Sequence, residues 1–298
     1  MLKATKQLKM GNKNHEIKED WDLVIEPRSS LFDLHLKDVW RYRDLLIMFV
    51  KRDLVAQYKQ TILGPLWHLV QPLLTTIIFL LVFTKIANIP TDGIHPVLFY
   101  MSGITIWNYF TACLNNTSNT FVANAGIFGK VYFPRLVLPL SIVLSNMVKL
   151  GIQFGLLILV MVYFALFENT PMQVGWHYLL IPILVIMMAG IGLGLGIIIS
   201  SLTTKYRDFA VLVGFGVQLL MYATPIAYPI SFLKGKSFAW LLEWNPLSGL
   251  VEGFRYALFA SKGFDMASLI YSFIFMVVVL FFGTMIFSKV ERTFIDTV

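Results

Sequence analysis

Charged residues are scarce in this sequence, and cysteine is almost absent. Asp, Glu, Lys and Arg make up 14% of the 298 residues, whereas hydrophobic residues make up 57%; an average soluble domain is about 25% charged. A soluble fold of this length could not bury so much apolar surface. The chain is therefore predicted to be an all-α integral membrane protein. The single cysteine, Cys113, excludes an intrachain disulfide.

The sequence also lacks the motifs of an enzyme. Gly235-Lys236-Ser237 ends like a phosphate-binding loop, but Ile230 stands where the first glycine belongs, so this chain is not expected to hydrolyse ATP. The five histidines show no ligand spacing, which predicts that the chain holds no metal site. No cofactor is expected in this chain and no nucleic acid is expected as a partner.

Acidic residues are missing from the predicted spans, where ion-coupled transporters usually carry a charged relay. The clear charges there are Lys149 and the boundary residue Lys85. Two interpretations of Lys149 stay open: it faces water or an anion, or it snorkels to the membrane surface. A stand-alone secondary transporter or channel remains an alternative, although its relay is not visible.

Six apolar segments approach the roughly 20 residues that cross a bilayer as a helix. The second is the weakest, because it carries Asn108 and several hydroxyls. Alternating glycines in the fourth predict close helix packing within the subunit, with a dimer contact as the alternative. The predicted spans are approximately Leu66–Ala87, Pro96–Asn115, Leu138–Phe167, Tyr178–Leu202, Phe209–Pro229 and Leu269–Phe287.

Lysine and arginine positions predict the orientation. Twelve of the 24 precede Leu66, and six more follow spans two, four and six. This bias predicts that both termini are cytoplasmic. No apolar stretch in the first 30 residues resembles a signal peptide.

The sequence divides into three predicted parts. Residues 1–30 form a polar N-terminal segment, residues 31–63 an amphipathic interface helix, and residues 64–298 the six-span domain. The helix is predicted to lie in the cytoplasmic interface; the alternative is a helix packed on its own subunit. Its candidate functional residues are Trp40, Arg41, Arg43, Arg52, Tyr58 and Lys59.

Two predicted loops carry further candidates. The loop at 116–136 mixes aromatic and basic residues, which indicates either a docking surface for another protein or aromatics that return to the bilayer interface. Its candidates are Asn124, Gly126, Phe128, Lys130, Tyr132, Phe133, Pro134 and Arg135.

The outer segment 231–263 is predicted to form two re-entrant or gate helices, with passive stabilisation of the outer face as the alternative. Asn245 is an expected N-cap before Pro246, Lys262-Gly263 an expected end, and Glu252 and Arg255 are spaced to pair. The candidates are Trp244, Asn245, Pro246, Glu252, Phe254 and Arg255.

Several ordered motifs resemble the polysaccharide-export ABC permeases, the membrane subunits that export O-antigen, capsule or teichoic acid. The resemblance covers about residues 31–290. Its motifs are Val39-Trp40-Arg41-Tyr42-Arg43-Asp44, Tyr58-Lys59-Gln60-Thr61-Ile62-Leu63-Gly64-Pro65, Lys130-Val131-Tyr132-Phe133-Pro134-Arg135, Tyr206-Arg207-Asp208, Thr224-Pro225-Ile226 and Trp244-Asn245-Pro246-Leu247.

The resemblance implies a homodimer in the bacterial inner membrane with two separate ATP-binding subunits, which would hold ATP and Mg²⁺. The cargo would be a lipid-linked polysaccharide, with O-antigen favoured. Segment 116–136 would couple to the ATPase, and the outer helices would gate the exit. Candidates for the substrate path are Trp107, Tyr109, Phe110 and Lys149. An ABC permease for a drug or a small lipid is the remaining alternative.

Overall fold

The computed structural model describes most of the chain from residue 36 onward. The described residues are 36–59, 61–128, 133–168, 175–206, 208–233, 235, 237, 239–261 and 264–294. The predicted polar segment 1–30 therefore lies outside the described residues, as do Lys130, Tyr132 and the expected helix end at Lys262-Gly263.

The regular structure in these residues is entirely helical, as the composition predicts. Short 3-10 turns lie at Gly64–Leu66, Trp176–Leu179 and Ile230–Leu233, and Leu80–Ile86 is π-helical. The α-helices are α1 (Leu36–Arg41), α2 (Arg43–Tyr58), α3 (Trp67–Phe79), α4 (Pro96–Ser118), α5 (Thr120–Ala123), α6 (Ala125–Phe128), α7 (Val137–Phe167), α8 (Leu180–Thr203), α9 (Phe209–Tyr222), α10 (Ala239–Glu243), α11 (Pro246–Phe259) and α12 (Met266–Phe294).

Five helical segments are long and apolar enough to cross a membrane. Each corresponds to one of the predicted spans, with ends that differ by a few residues. They are Gly64–Ile86, Pro96–Ser118, Val137–Phe167, Trp176–Thr203 and Met266–Val290. Among the described residues, five of the six predicted spans are therefore found as long apolar helices.

The predicted fifth span is where sequence and structure differ. Helix α9 has 14 residues and rises only about 21 Å, against roughly 30 Å of hydrocarbon. The chain then turns at Ala223–Ile226, because the residue before a proline avoids helical geometry and Pro225 follows Thr224. The predicted helix over 209–229 is therefore too long.

Helix α4 lies at the centre of the bundle, although its hydropathy is the lowest of the five spans. It packs against α3, α7, α8, α9 and α11. Several of its hydroxyls are bonded within the helix: Ser102 donates to the Phe99 carbonyl at 3.0 Å and Thr105 to the Met101 carbonyl at 2.8 Å. These bonds allow polar side chains to be buried at low cost, which explains the weak sequence signal.

The glycine run of α8 joins α4 to α12 within one subunit. A Cβ on Gly196 would lie 2.6 Å from Thr117 Cβ of α4, and a Cβ on Gly194 would lie 2.8 Å from Val279 Cγ1 of α12. Because successive glycines alternate between these neighbours, both helices approach the α8 backbone closely. The predicted packing within the subunit is confirmed for these glycines.

Candidate functional site

Helix α11 is the most completely enclosed short helix among the described residues. It packs against α4, α8 and α12, and eleven of its fourteen residues are buried. Asn245 caps its first turn by accepting a hydrogen bond from the Leu247 amide at 3.0 Å, and Pro246 follows as the first helical residue. Both features match the sequence prediction.

Arg255 lies at the centre of a buried network and is 0% exposed. Its Nη1 donates to Glu252 Oε1 at 3.0 Å and to the Pro225 carbonyl at 2.5 Å, and its Nη2 donates to the Ile226 carbonyl at 2.9 Å. The guanidinium also stacks 3.6 Å from the centroid of the Phe99 ring. A buried arginine is stabilised only when its charge and donors are matched in this way.

The partners of Arg255 explain two further features. Gly103 leaves room for the guanidinium, because a Cβ there would lie 2.8 Å from Arg255 Nη2. The Glu252 side chain is itself buried, and Arg255 Nη1 at 3.0 Å compensates the charge of its carboxylate. Arg255 thus joins α11 to α4 and to the turn that ends α9.

Asn245 holds the same turn from the other end of α11. Its Nδ2 donates to the Ala223 carbonyl at 2.8 Å and to Thr224 Oγ1 at 2.9 Å, while Thr224 itself donates to the Leu220 carbonyl at 2.7 Å. The turn is therefore fixed by both ends of α11. We call Asn245, Glu252, Arg255 and the turn Ala223–Ile226 the α11 clasp.

The last turn of α11 is bonded from the 3-10 turn Trp176–Leu179 that precedes α8. His177 Nδ1 lies 2.9 Å from the Ala257 carbonyl oxygen, and the Tyr178 hydroxyl donates to the Leu258 carbonyl at 3.4 Å. Ala260 takes the left-handed conformation at the C-cap, with φ of 50°, so the helix ends at Phe259, before the predicted Lys262-Gly263. The two side chains satisfy carbonyls that have no partner within the helix.

The structure brings together most of the outer residues that the sequence singled out. Asn245, Glu252, Phe254 and Arg255 are buried around α11, and the predicted Glu252–Arg255 pair is confirmed, whereas Trp244 is 74% exposed. Sequence reasoning missed Phe99, Gly103 and His177 as partners. A charged residue such as Arg255 in an apolar helix requires hydrogen-bond and charge partners. The spacing of residues along the chain, however, cannot identify partners that are distant in sequence.

At the other end of the bundle, α2 packs against α7. Phe49 is buried and its ring lies 5.7 Å from that of Phe133. Arg52 donates from Nη2 to Asp53 at 2.7 Å and reaches Asn124 Oδ1 at 3.4 Å. The interface helix is therefore connected directly to the predicted docking loop.

The remaining interface residues divide between exposed and partly buried positions. Arg41, Arg43 and Lys59 are exposed, and Trp40 is 73% exposed. The ring of Tyr58 lies 5.8 Å from that of His68, and burial raises the pKa of Tyr58. Helix α2 thus packs on its own subunit and also leaves apolar side chains such as Ile47 and Met48 exposed; its position in the cytoplasmic interface remains a prediction.

Loop 116–136 is held from inside the subunit. Phe121 is buried against Phe287, with the rings 4.6 Å apart, and its amide donates to Ser200 Oγ at 3.3 Å. Phe133 is 4% exposed and Arg135 is 6% exposed. A docking surface that includes Phe133 would require this ring to be exposed, but Phe49 and other residues of its apolar cluster cover it; the part of Phe133 in coupling remains a prediction.

Asn124 and Pro134 are buried as well, whereas Gly126 and Val122 are exposed. Phe128 ends helix α6, and nothing further is described for its side chain. The exposed surface of this loop among the described residues therefore comes from α5 and α6, not from the Phe133–Arg135 segment.

Lys149 and Tyr109 line one polar cavity of about 240 Å³ between α3, α4 and α7. Lys149 Nζ donates to Asn146 Oδ1 at 2.9 Å. This placement fits the interpretation in which Lys149 faces water or an anion. Trp107 and Phe110 are instead buried in the apolar core, with their rings 5.4 Å apart, and neither lines this cavity.

Comparison with known proteins identifies relatives that match most of the chain. The ABC-2 type transporter family model matches residues 44–259, well over half of the sequence. The O-antigen export system permease protein RfbA of Klebsiella pneumoniae is 30% identical over 255 residues, which cover 85% of this chain and 94% of that protein.

Two further relatives show the same extent of similarity. The protein named O-antigen export system permease protein RfbA in Myxococcus xanthus is 26% identical and is matched over 88% of this chain and 98% of its own length. The polysialic acid transport protein KpsM of Escherichia coli is 23% identical, over 83% of this chain and 93% of its own. These relatives are transport permeases, and their names describe two kinds of glycan.

Proposed function

Because this chain belongs to the ABC-2 type transporter family of membrane permeases, we propose that it is the permease subunit of an exporter of lipid-linked polysaccharide, with O-antigen as the cargo. One observation carries this proposal: the likeness to an O-antigen export permease extends over 94% of that relative's length. The alternatives of a stand-alone transporter or a drug permease have no comparable support.

The proposed assembly is a homodimer in the bacterial inner membrane, with two ATP-binding subunits that bind ATP and Mg²⁺. Both termini are cytoplasmic, and the sixth crossing is completed by α9 together with the turn that follows it. The burial of Ala223–Ile226 under α11 supports this crossing, since backbone that leaves helical geometry at membrane depth must be covered by protein.

ATP hydrolysis in the partner is proposed to act through loop 116–136. The contacts support this role, because Arg52 and Phe49 of α2 connect the loop to the interface helix and Phe121 connects it to α12 and α8. A displacement of α5 and α6 would therefore reach three elements of the bundle. Helices α10 and α11 are proposed to lie at the outer face, re-entrant in the membrane, beside the exit.

The first experiment is a gentle purification of the tagged chain from its native membrane, followed by an ATPase assay and identification of the proteins recovered with it. We expect to recover a soluble ATPase in an amount equal to that of this chain. We also expect a strain that lacks this chain to lose its surface polysaccharide. A pure, ATPase-free oligomer that persists after crosslinking in intact cells would contradict the proposal.

A second experiment separates coupling from folding. Tyr132→Ala combined with Phe133→Ala is expected to abolish export while the protein remains in the membrane. Because Phe133 is buried, its truncation also lowers stability, so Tyr132→Ala alone and Phe133→Leu serve as the matched variants. Normal export by the double variant at normal expression would refute the assignment of this loop.

A further inference from the structure

Three cavities with mostly polar wall residues lie next to one another along α7. Their volumes are about 480, 310 and 240 Å³, and neighbouring cavities share wall residues: Asn116 is common to the first two, and Asn146 and Lys149 to the last two. We call this the amide groove and define it by its carboxamides and lysine: Gln71, Asn108, Asn116, Asn146, Lys149 and Gln153.

Helical spacing places these side chains along a line. Asn146, Lys149 and Gln153 are three and four residues apart on α7, and Asn108 and Asn116 are eight apart on α4, so each set shares one helix face. Gln153 lies sixteen residues into α7, which corresponds to about 24 Å from its start. The groove thus carries polar groups deep into an otherwise apolar bundle.

Hydrogen bonding in the groove is incomplete. Asn146 Oδ1 accepts from both Lys149 Nζ at 2.9 Å and Asn116 Nδ2 at 3.3 Å. Among the described residues, however, Asn146 Nδ2 and Thr111 Oγ1 are buried without any partner. Buried polar atoms are nearly always bonded to protein, water or a ligand, so the groove has hydrogen-bonding capacity that the described residues do not use.

The charge in the groove is positive at Lys149. Arg52 and Asp53 line the cavity nearest α2, but they pair with each other at 2.7 Å, and His68 lies in the wall beside Gln71. An ammonium group is a donor only, whereas carboxamides both donate and accept. This combination suits one anionic group next to several hydroxyls.

We propose that the amide groove binds a lipid headgroup in which a phosphate is joined to a sugar, with Lys149 Nζ contacting the phosphate and the carboxamides of Asn108, Asn146 and Gln153 contacting sugar hydroxyls. The proposal rests on the proposed function for its choice of a lipid-borne sugar. Tyr109, which lines the same cavity, supplies an additional hydroxyl and an aromatic wall.

The test measures equilibrium binding to the full chain, purified with its partners in phosphatidylcholine nanodiscs. Dodecyl glucosyl phosphate is compared with dodecyl glucoside, dodecyl phosphate and inorganic phosphate. We expect dodecyl glucosyl phosphate to bind tightest. Lys149→Met is expected to weaken the binding of dodecyl glucosyl phosphate about tenfold to a hundredfold, as expected for the loss of a charged hydrogen bond. It should leave the binding of dodecyl glucoside unchanged.

Matched variants separate the site from the fold. Lys149→Arg should retain most of the binding, and Lys85→Met, which removes a lysine from an exposed position of the first span, should change nothing. Gln153→Leu should weaken the binding of dodecyl glucosyl phosphate more than the binding of dodecyl phosphate. Gln218→Leu, on the exposed face of α9, should weaken the binding of neither compound. Thermal unfolding of each variant shows that it remains folded.

Each outcome decides the proposal. Unchanged binding in Lys149→Met, or an equal loss in Lys85→Met, would overturn it. If inorganic phosphate displaces the lipid probe at equal concentration, the contact between Lys149 and an anion would stand, but the proposal that the ligand is a lipid headgroup would be overturned. The binding assay does not require export, so a negative result in it leaves the exporter proposal standing. Conversely, a chain that binds the probe but exports no glycan would contradict the exporter proposal and not the amide groove.

Discussion

The α11 clasp and the amide groove are both polar regions inside an apolar bundle, but they differ in how many of their hydrogen bonds are made. In the clasp, Arg255 has four protein partners and a stacked ring, although its Nε is buried without a partner among the described residues. In the groove, Asn146 and Thr111 also keep buried atoms without a partner among the described residues, but there cavities lie beside them. The protein itself fills the space around the clasp, which should keep it fixed, whereas the groove has room to receive a ligand.

The largest expected effect is the loss of the clasp's central charge. Arg255→Met leaves Glu252 buried without its partner and three carbonyls unbonded, which should lower the free energy of unfolding by about 3–5 kcal/mol. Denaturant unfolding in mixed micelles measures this free energy. The control is Arg43→Met, at an exposed position of α2, which should change the free energy of unfolding by less than about 0.5 kcal/mol.

The double variant Arg255→Met with Glu252→Leu sharpens this prediction. Removing both charges should recover part of the lost stability, because the uncompensated carboxylate is gone. An additive loss in the double variant would show that Arg255 acts through its carbonyl contacts and not through the ion pair.

The next effect concerns the close helix contacts that hold both regions in register. Gly196→Val places a Cβ 2.6 Å from Thr117 Cβ, and such overpacking should cost about 1–3 kcal/mol. Gly151→Val on α7 is the control, because a Cβ there meets nothing within 4 Å. Equal thermal stability of the two variants would contradict the α4–α8 packing described above.

Asn245 offers a smaller test of the clasp. Asn245→Ala loses the helix cap and should destabilise by about 0.5–2 kcal/mol. Asn245→Asp keeps the acceptor for the Leu247 amide but loses the two bonds donated to Ala223 and Thr224, so its loss measures the contribution of the turn. If both variants match the parent chain in unfolding experiments, the turn is not held by Asn245.

The smallest expected effect comes from placing the same substitution, Thr to Val, in each of the two regions. Thr224→Val removes a hydroxyl that is bonded to Leu220 and Asn245 and should cost about 1 kcal/mol. Thr111→Val removes a buried hydroxyl without a partner among the described residues, so its cost should be near zero or negative. A larger loss at Thr111 than at Thr224 would reverse the comparison.

The sequence predicts the long spans well because hydropathy is a property of local composition. Five of the six predicted spans are present as helices. The fifth prediction is too long because two residues, Thr224 and Pro225, lower the average hydropathy of a long apolar run only slightly. Helix α4 gave the weakest signal and yet occupies the centre, because several of its hydroxyls, such as those of Ser102 and Thr105, are bonded to its own backbone.

The candidate sites show where local reasoning ends. The Glu252–Arg255 pair is visible from a spacing of three residues, but Phe99 lies 156 residues from Arg255 and no spacing rule connects them. Likewise, the sequence left two interpretations of Lys149, since the faces of α7 are indistinguishable until α3 and α4 are placed beside it. Phe133 looked exposed for the same reason, because its cover, Phe49, belongs to another element.

The bonds at both ends of α11 have a mechanical consequence. Its N-cap residue, Asn245, is bonded to the turn after α9, and its last carbonyls are bonded to His177 and Tyr178 in the 3-10 turn before α8. The helix therefore has no free end about which to hinge. Any outward displacement of α11 must carry the turn after α9 and the 3-10 turn before α8 with it as one rigid body, or break hydrogen bonds at both ends at once.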